Sequence, residues 1–374
     1  MKRMHLEKLV IHGIRNIQFA DMHLSPGFNL FYGLNGSGKS SILEAVHILS
    51  RGRSFRTRNL KSVISHDRKD CTCFGLVHQG EELPPTPIGV NRHESGAFVF
   101  KVDGEQVNVA SRLAETLPVQ LVNSDSYQLL DGAPGDRRSY LDWGVFHVEH
   151  SYRASLARFQ RCLKHRNSLL RRAKIDRLEF SVWDREFCSL SQQITSAREQ
   201  YLNALTPVVH EVLDRLALAG NYSFRFVPGW DMSLPLLEQL DATLDRDQKA
   251  GFTQLGPHRA DIRIMSGKSL AADMLSRGQG KMLVYGLKLA QGILLKRLTN
   301  QHCVYMLDDL PAELDENHRQ SVGKVLAEMG VQVLITGVDR DDLVGVWRAE
   351  DRPLAMFHVE QGAVRAETLA REVD

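Results

Sequence analysis

Residues 33–40 read Gly33-Leu34-Asn35-Gly36-Ser37-Gly38-Lys39-Ser40. This matches G-x-x-x-x-G-K-[ST] in full, and its neighbours settle how it is read. The apolar run Phe28-Asn29-Leu30-Phe31-Tyr32 before it predicts a strand. Ser41-Ile42-Leu43-Glu44-Ala45-Val46 after it predicts the start of a helix. Strand, glycine turn and helix are the context in which this pattern holds phosphate. Glycines let successive backbone N–H groups turn inward around phosphate oxygens, where a Cβ would clash. A helix beginning near Ser40 aims the positive end of its dipole at the anion. In such loops the lysine reaches the β- and γ-phosphates, and the next hydroxyl serves Mg²⁺. Gly33 to Ser41 is therefore the candidate ATP-binding set, with Lys39 and Ser40 at its chemical end. A phosphate loop alone does not choose among kinases, GTPases, motors and cassette ATPases.

A second cluster lies far along the chain. Val304-Tyr305-Met306-Leu307-Asp308-Asp309 is an apolar strand ending in two carboxylates. Beside a phosphate loop, the first such carboxylate holds Mg²⁺ through water. The second orients or deprotonates the attacking water. Asp308 is thus the candidate metal residue together with Ser40, and Asp309 and Lys39 are the candidate catalytic residues. Asp309 is one methylene shorter than the glutamate many such ATPases use. A base held about 1 Å farther from the water predicts slow hydrolysis. Gln120 is a further candidate, in the Mg²⁺-linked glutamine role of related ATPases.

The chain has 374 residues, room for two to three domains at roughly 100–200 residues each. Hydrophobic residues make up 43% and charged residues 25%, which excludes a disordered chain. No run of 18 apolar residues occurs, so no membrane-spanning helix is expected. The start MKRMHLEKLV carries no apolar signal-peptide core. Five cysteines in so long a chain do not make a disulfide framework. A reducing cytoplasm is the expected compartment.

The net charge of +2 hides a strong polarity. Residues 1–70 carry +7, residues 137–174 carry +8, and residues 301–374 carry −8. The middle of the chain also changes character. Leu156, Phe159, Leu163 and Leu170 fall on a heptad stripe that Arg166 interrupts. After a break near Ile175-Asp176-Arg177, Phe180, Trp183, Phe187, Leu190, Ile194, Ala197, Tyr201 and Ala204 alternate steps of three and four. That is the seam of a helical hairpin. Its basic residues Arg153, Arg158, Arg161, Lys164, Arg166, Arg171 and Arg172 are the candidate DNA contacts. Arg51, Arg53, Arg56 and Arg58 form a second group suited to an anion. Strand character returns at Tyr222–Phe226 and again at Val331–Thr336, the latter as a run suited to a buried parallel sheet. The expected fold class is α/β: an ATPase head made of residues 1–136 and 253–374, split by a helical insertion at 137–252. Cys71-Thr72-Cys73 lacks the usual zinc spacing and is read as alternating core cysteines. His147, Glu149 and His150 are read as a polar helix face.

Leu275-Ser276-Arg277-Gly278-Gln279-Gly280-Lys281 precedes a predicted helix over 282–291. It resembles the LSGGQ-type signature of cassette ATPases. Ser276, Gly278 and Gln279 would then meet the γ-phosphate held by a partner subunit, so that ATP joins two copies. The alternative reading is an ordinary serine N-cap. With Gly52–Thr57, Arg137–His147, Gly256–Asp261, Glu313–Asp315 and Met356–Val359 added, nearly the whole chain resembles the RecF family of SMC-like P-loop ATPases. The short helical arm is similar too.

The resemblance implies an ATP-dependent homodimer that binds DNA at single-strand gaps and single-strand/double-strand junctions. It implies a recombination mediator that works with RecO and RecR to load RecA, in DNA repair, replication and the SOS response. It implies a weak, DNA-dependent ATPase in which ATP and Mg²⁺ act as a switch. The sequence departs from the family pattern at Gly280, Ala312 and Ser124. Thr336 stands where transporter subunits carry a switch histidine. A transporter ATPase or a nuclease-linked ATPase is the alternative. The first would need that histidine, which this sequence lacks, and the second would need a nuclease domain, for which no chain length is left.

Overall fold

A computed structural model of the chain describes residues 4–80, 83–172, 177–347 and 352–367. The chain divides into two compact units. The first comprises Met1–Ser126, Val212–Leu218 and Lys281–Asp374. The second comprises Tyr127–Glu211 and Ala219–Gly280. The insertion therefore begins ten residues before the expected 137 and runs on to Gly280, so the Gly256–Arg259 turn and the signature start belong to the second unit.

In chain order the strands are β1 (His5–Ile14), β2 (Ile17–His23), β3 (Phe28–Tyr32), β4 (Asp70–His78), β5 (Thr86–His93), β6 (Phe98–Val102), β7 (Glu105–Val107) and β8 (Val119–Val122). The second unit holds β9 (Tyr222–Val227), β10 (Asp261–Ser266) and β11 (Ser269–Leu270). The first resumes with β12 (Val304–Leu307), β13 (Val333–Gly337), β14 (Leu354–Glu360) and β15 (Ala363–Glu367).

The first unit has two six-stranded sheets. One, ordered β2-β1-β4-β5-β6-β7, is antiparallel throughout. In β4 buried residues alternate with half-buried ones, as a sheet with one covered face requires. Cys71 and Cys73 lie on its buried side. The other sheet is ordered β15-β14-β3-β13-β12-β8 and is parallel except for the edge strand β15. Its central strands are the continuous apolar runs of the sequence, and every residue of β12 and β13 is buried. Helix α1 (Lys39–Arg51) leaves the end of β3 and packs Ile42, Leu43, Val46 and Leu49 into the core between these sheets. Gly52 closes it in the left-handed conformation.

In the second unit, the helix Tyr152–Leu170 and residues 177–211 of the next helix make the expected hairpin. The expected break falls partly on Ile175 and Asp176, outside the described residues. Phe159, Leu170, Phe180, Phe187, Leu190, Ile194 and Tyr201 are buried, while Ala204 is exposed and off the seam. Gly144 allows the helix Pro134–Val148 to meet the hairpin: a Cβ there would lie 2.0 Å from the Tyr201 ring.

Arg166 corrects one expectation. It does not face solvent; it is fully buried, with Nε on Asp184 at 2.8 Å and Nη1 on Asp247 at 3.2 Å and on the Thr253 hydroxyl at 2.7 Å. It interrupts the apolar stripe because it is an internal crosslink, not a DNA contact. Among the described residues, no helix is long and apolar enough to cross a membrane.

Candidate functional site

The loop between β3 and α1 carries its strain on glycine. Gly33 has φ 148° and Gly38 has φ 120°, values that L side chains resist. A Cβ at Gly33 would also sit 2.1 Å from the Val359 carbonyl oxygen. The loop is braced on both sides. Gly33 N–H donates to Val338 O, and Gly362 N–H donates to Ser37 O at 2.8 Å. Asn16, from the β1–β2 turn, donates its side-chain amide to Gly36 O and Ser37 O at 3.1 and 2.9 Å. The result is a cavity of about 280 Å³ lined by loop residues together with Arg15, Asn16, Arg56, Asp309 and Thr336.

Lys39 curls back so that Nζ donates to Gly33 O and Leu34 O at 2.6 and 2.9 Å. Burial holds its ammonium below the ordinary lysine range, against the opposing pull of Asp309 and Asp308. Ser40 Oγ donates to Asp308 Oδ1 at 2.8 Å, which joins two residues 268 positions apart. Thr336 Oγ1 donates to the same oxygen at 2.8 Å and accepts the Asp309 N–H at 2.8 Å. Thr336 thus ties the Asp308 carboxylate to the Asp309 backbone. Asp309 takes a left-handed backbone, φ 55°, and burial, then the adjacent Asp308 charge, pushes its carboxyl above the usual range. That is the direction a proton acceptor near neutral pH requires.

The loop fits a nucleoside triphosphate. Among the described residues the buried Ser37 Oγ has no hydrogen-bond partner, and a Cβ at Gly33 would obstruct the cradle that the glycines leave. Ser40 and Asp308 offer the hard oxygens Mg²⁺ prefers.

Gln120 is not brought to this cavity. It lies on β8 opposite Tyr305, buried, and its amide donates to Gln291 Oε1 at 3.0 Å. Its place is core satisfaction, so the catalytic expectation for it is withdrawn. Arg56 of the arginine group lines the cavity. Arg15 and Asn16 line it as well, and sequence reasoning does not single them out. Their only signal is a polar pair between two apolar strands.

In the second unit, Ser276, Gly278 and Gln279 are exposed. Ser276 N–H donates to Gln279 Oε1 at 3.1 Å, and Gln279 N–H donates to Ser276 Oγ at 3.3 Å. This reciprocal capping box starts the helix Arg277–Thr299. Gly280 has a reason: a Cβ there would lie 2.8 Å from the Tyr127 ring. Of the basic arm residues, Arg158, Arg161, Lys164, Arg171 and Arg172 are exposed and Arg153 is half-buried. Arg158 pairs with Glu186 at 2.9 Å.

A family model described as RecF/RecN/SMC N terminal domain matches residues 5–365. The protein called DNA replication and repair protein RecF of Pseudomonas entomophila (strain L48) is 44% identical over 96% of this chain and 98% of its own. The chain belongs to the RecF family. The RecF protein of Azotobacter vinelandii (strain DJ / ATCC BAA-1303) is 45% identical over the same shares. The solved structure of the recombination mediator protein RecF-ATP in the RecFOR pathway superposes with a TM-score of 0.86 at 25% identity. It covers 98% of this chain and 99% of that one. The Smc head domain of Pyrococcus furiosus, at a TM-score of 0.58 and 16% identity, shares the fold. The chain thus has the SMC-like ATPase fold of the RecF family.

Proposed function

We propose that the chain is an ATP-dependent, DNA-binding recombination mediator. The first unit is read as the ATPase head and the second as the arm lobe. The observation that carries the reading is the convergence of Lys39, Ser40, Asp309 and Thr336 on one glycine-built cavity, with Asp308 hydrogen-bonded to Ser40 and Thr336, in a chain of the RecF family.

Lys39 and the loop N–H groups bind the phosphates. Ser40 and Asp308 would hold Mg²⁺, which would supply charge neutralisation at the terminal phosphate. Asp309 takes the proton of the attacking water, and its short side chain keeps hydrolysis slow. The exposed signature Ser276, Gly278 and Gln279, presented at a capped helix start, meets the γ-phosphate of a second copy. ATP then holds a homodimer closed on DNA, and hydrolysis releases it, so the nucleotide acts as a switch.

The polymer contacts are assigned to Arg153, Arg158, Arg161, Lys164, Arg171 and Arg172. The substrate is DNA at single-strand gaps and junctions, in the cytoplasm, with RecO and RecR as partners in RecA loading during repair, replication and the SOS response. Fluorescence anisotropy on gapped and intact duplexes tests this. Binding should tighten with Mg-ATP and favour the gap. Equal affinity with ATP, ADP and no nucleotide would overturn it.

A further inference from the structure

Glu44 lies one turn past Ser40 on α1 and is completely buried. Its carboxylate is not among the residues that line the nucleotide cavity, yet it reaches both arginines that do. Arg15 meets it as a two-pronged fork, Nε on Oε2 and Nη2 on Oε1, each at 2.9 Å. Arg56 Nη1 stands 3.9 Å from Oε2. A second route runs through Ser54. The Ser54 hydroxyl donates to Glu44 Oε1 and accepts the backbone N–H groups of Arg56 and Thr57 at 2.9 and 3.1 Å. One buried carboxylate thus fixes one guanidinium directly and the backbone that carries the other.

Arginine side chains are long and lose rotamer freedom when an anion immobilises them. Fixing them beforehand lowers that cost on binding. The carboxylate also offsets repulsion between two guanidinium groups that share the cavity with Lys39. Arg15 is further set by its backbone. It has φ 54°, its N–H donates to Val63 O at 2.8 Å, and its carbonyl accepts the Ser65 hydroxyl at 2.7 Å.

We propose that Glu44 is a positioning residue for the nucleotide: it holds Arg15 and Arg56 aimed at the phosphate end of the cavity. It touches no phosphate itself. The proposal rests on the nucleotide reading given above.

The test is a mutant cycle read by calorimetric titration with Mg-ATP. Glu44→Gln keeps the shape and removes the charge. Weakening one charge-assisted hydrogen bond to phosphate predicts an affinity lower by about ten-fold. In an Arg15→Ala/Arg56→Ala background, the same change should alter affinity by less than about two-fold, because the groups it acts through are gone. Ser54→Ala, a milder change, should weaken Mg-ATP only while Arg56 is present, which keeps the test available if Glu44→Gln folds poorly. Glu44→Gln with wild-type affinity and only a lower melting temperature would overturn the proposal. So would an equal loss in both backgrounds. Lys39→Ala separates the two levels. If it abolishes binding while Glu44→Gln does not, only the positioning role fails. If Lys39→Ala binds normally, the nucleotide reading fails and takes the positioning role with it.

Discussion

Replacing Arg166 with methionine isolates the buried crosslink of the second unit. The guanidinium sits 5.1 Å from the Phe180 ring centroid and 5.8 Å from that of Phe187, so an apolar chain of similar length fits the same slot. The change leaves Asp184 and Asp247 buried without this cation, both nearly inaccessible. Removing one partner of a buried pair costs about 3–5 kcal/mol. Burial already holds the Asp184 carboxyl above its usual range, with Arg166 pulling it down. Without Arg166 the carboxyl rises further and takes up a proton on folding. A group whose folded pKa is raised favours the folded state below that pKa and loses the benefit as pH rises through it. The penalty should therefore be full at pH 8 and shrink as pH falls toward 5. Urea unfolding followed by tryptophan fluorescence, to which Trp183 beside Leu169, Leu170 and Phe180 contributes, checks this. A loss below about 1 kcal/mol at pH 8, or a DNA salt slope that drops while stability holds, would refute the buried-crosslink account.

Other outcomes are as specific. Asp309→Glu should hydrolyse ATP faster in single-turnover assays, because the longer side chain brings the base to the water; an equal or slower rate counts against Asp309 as the base. Gly280→Gln should destabilise by about 1–3 kcal/mol through overpacking against Tyr127, and Tyr127→Ala should relieve it; thermal unfolding of the single and double variants checks both. Charge removal at Arg161, Lys164 and Arg171 should reduce the slope of log affinity for duplex DNA against log salt by about 0.9 for each phosphate no longer neutralised, and a slope unchanged by the triple variant sinks the arm as a DNA surface.

What is legible in the sequence is local. The phosphate loop and the Asp308-Asp309 strand end each carry their chemistry within a few residues, and the apolar runs around them specify strands and helix. What needs the third dimension is pairing. Gln120 looks like a functional amide until β8 is registered against β12, which turns it onto Gln291. Arg166 looks like a solvated cation because heptad counting presumes that charge lies outside; its partners are 18 and 81 residues away. Arg15 and Asn16 enter the cavity only because the β1–β2 turn packs against the loop. Thr336 stands out in the sequence only against the switch histidine of transporter subunits, whereas its hydroxyl bonds the Asp308 carboxylate and the Asp309 backbone N–H.

Sedimentation velocity with and without Mg-ATP tests the central claim most directly. Wild type should shift from monomer to dimer on ATP addition, while Lys39→Ala, expected to lose the nucleotide, and Ser276→Arg, expected to block the signature, should both stay monomeric. Wild type that remains monomeric at saturating Mg-ATP, or a Ser276→Arg variant that dimerises as wild type does, would contradict the account.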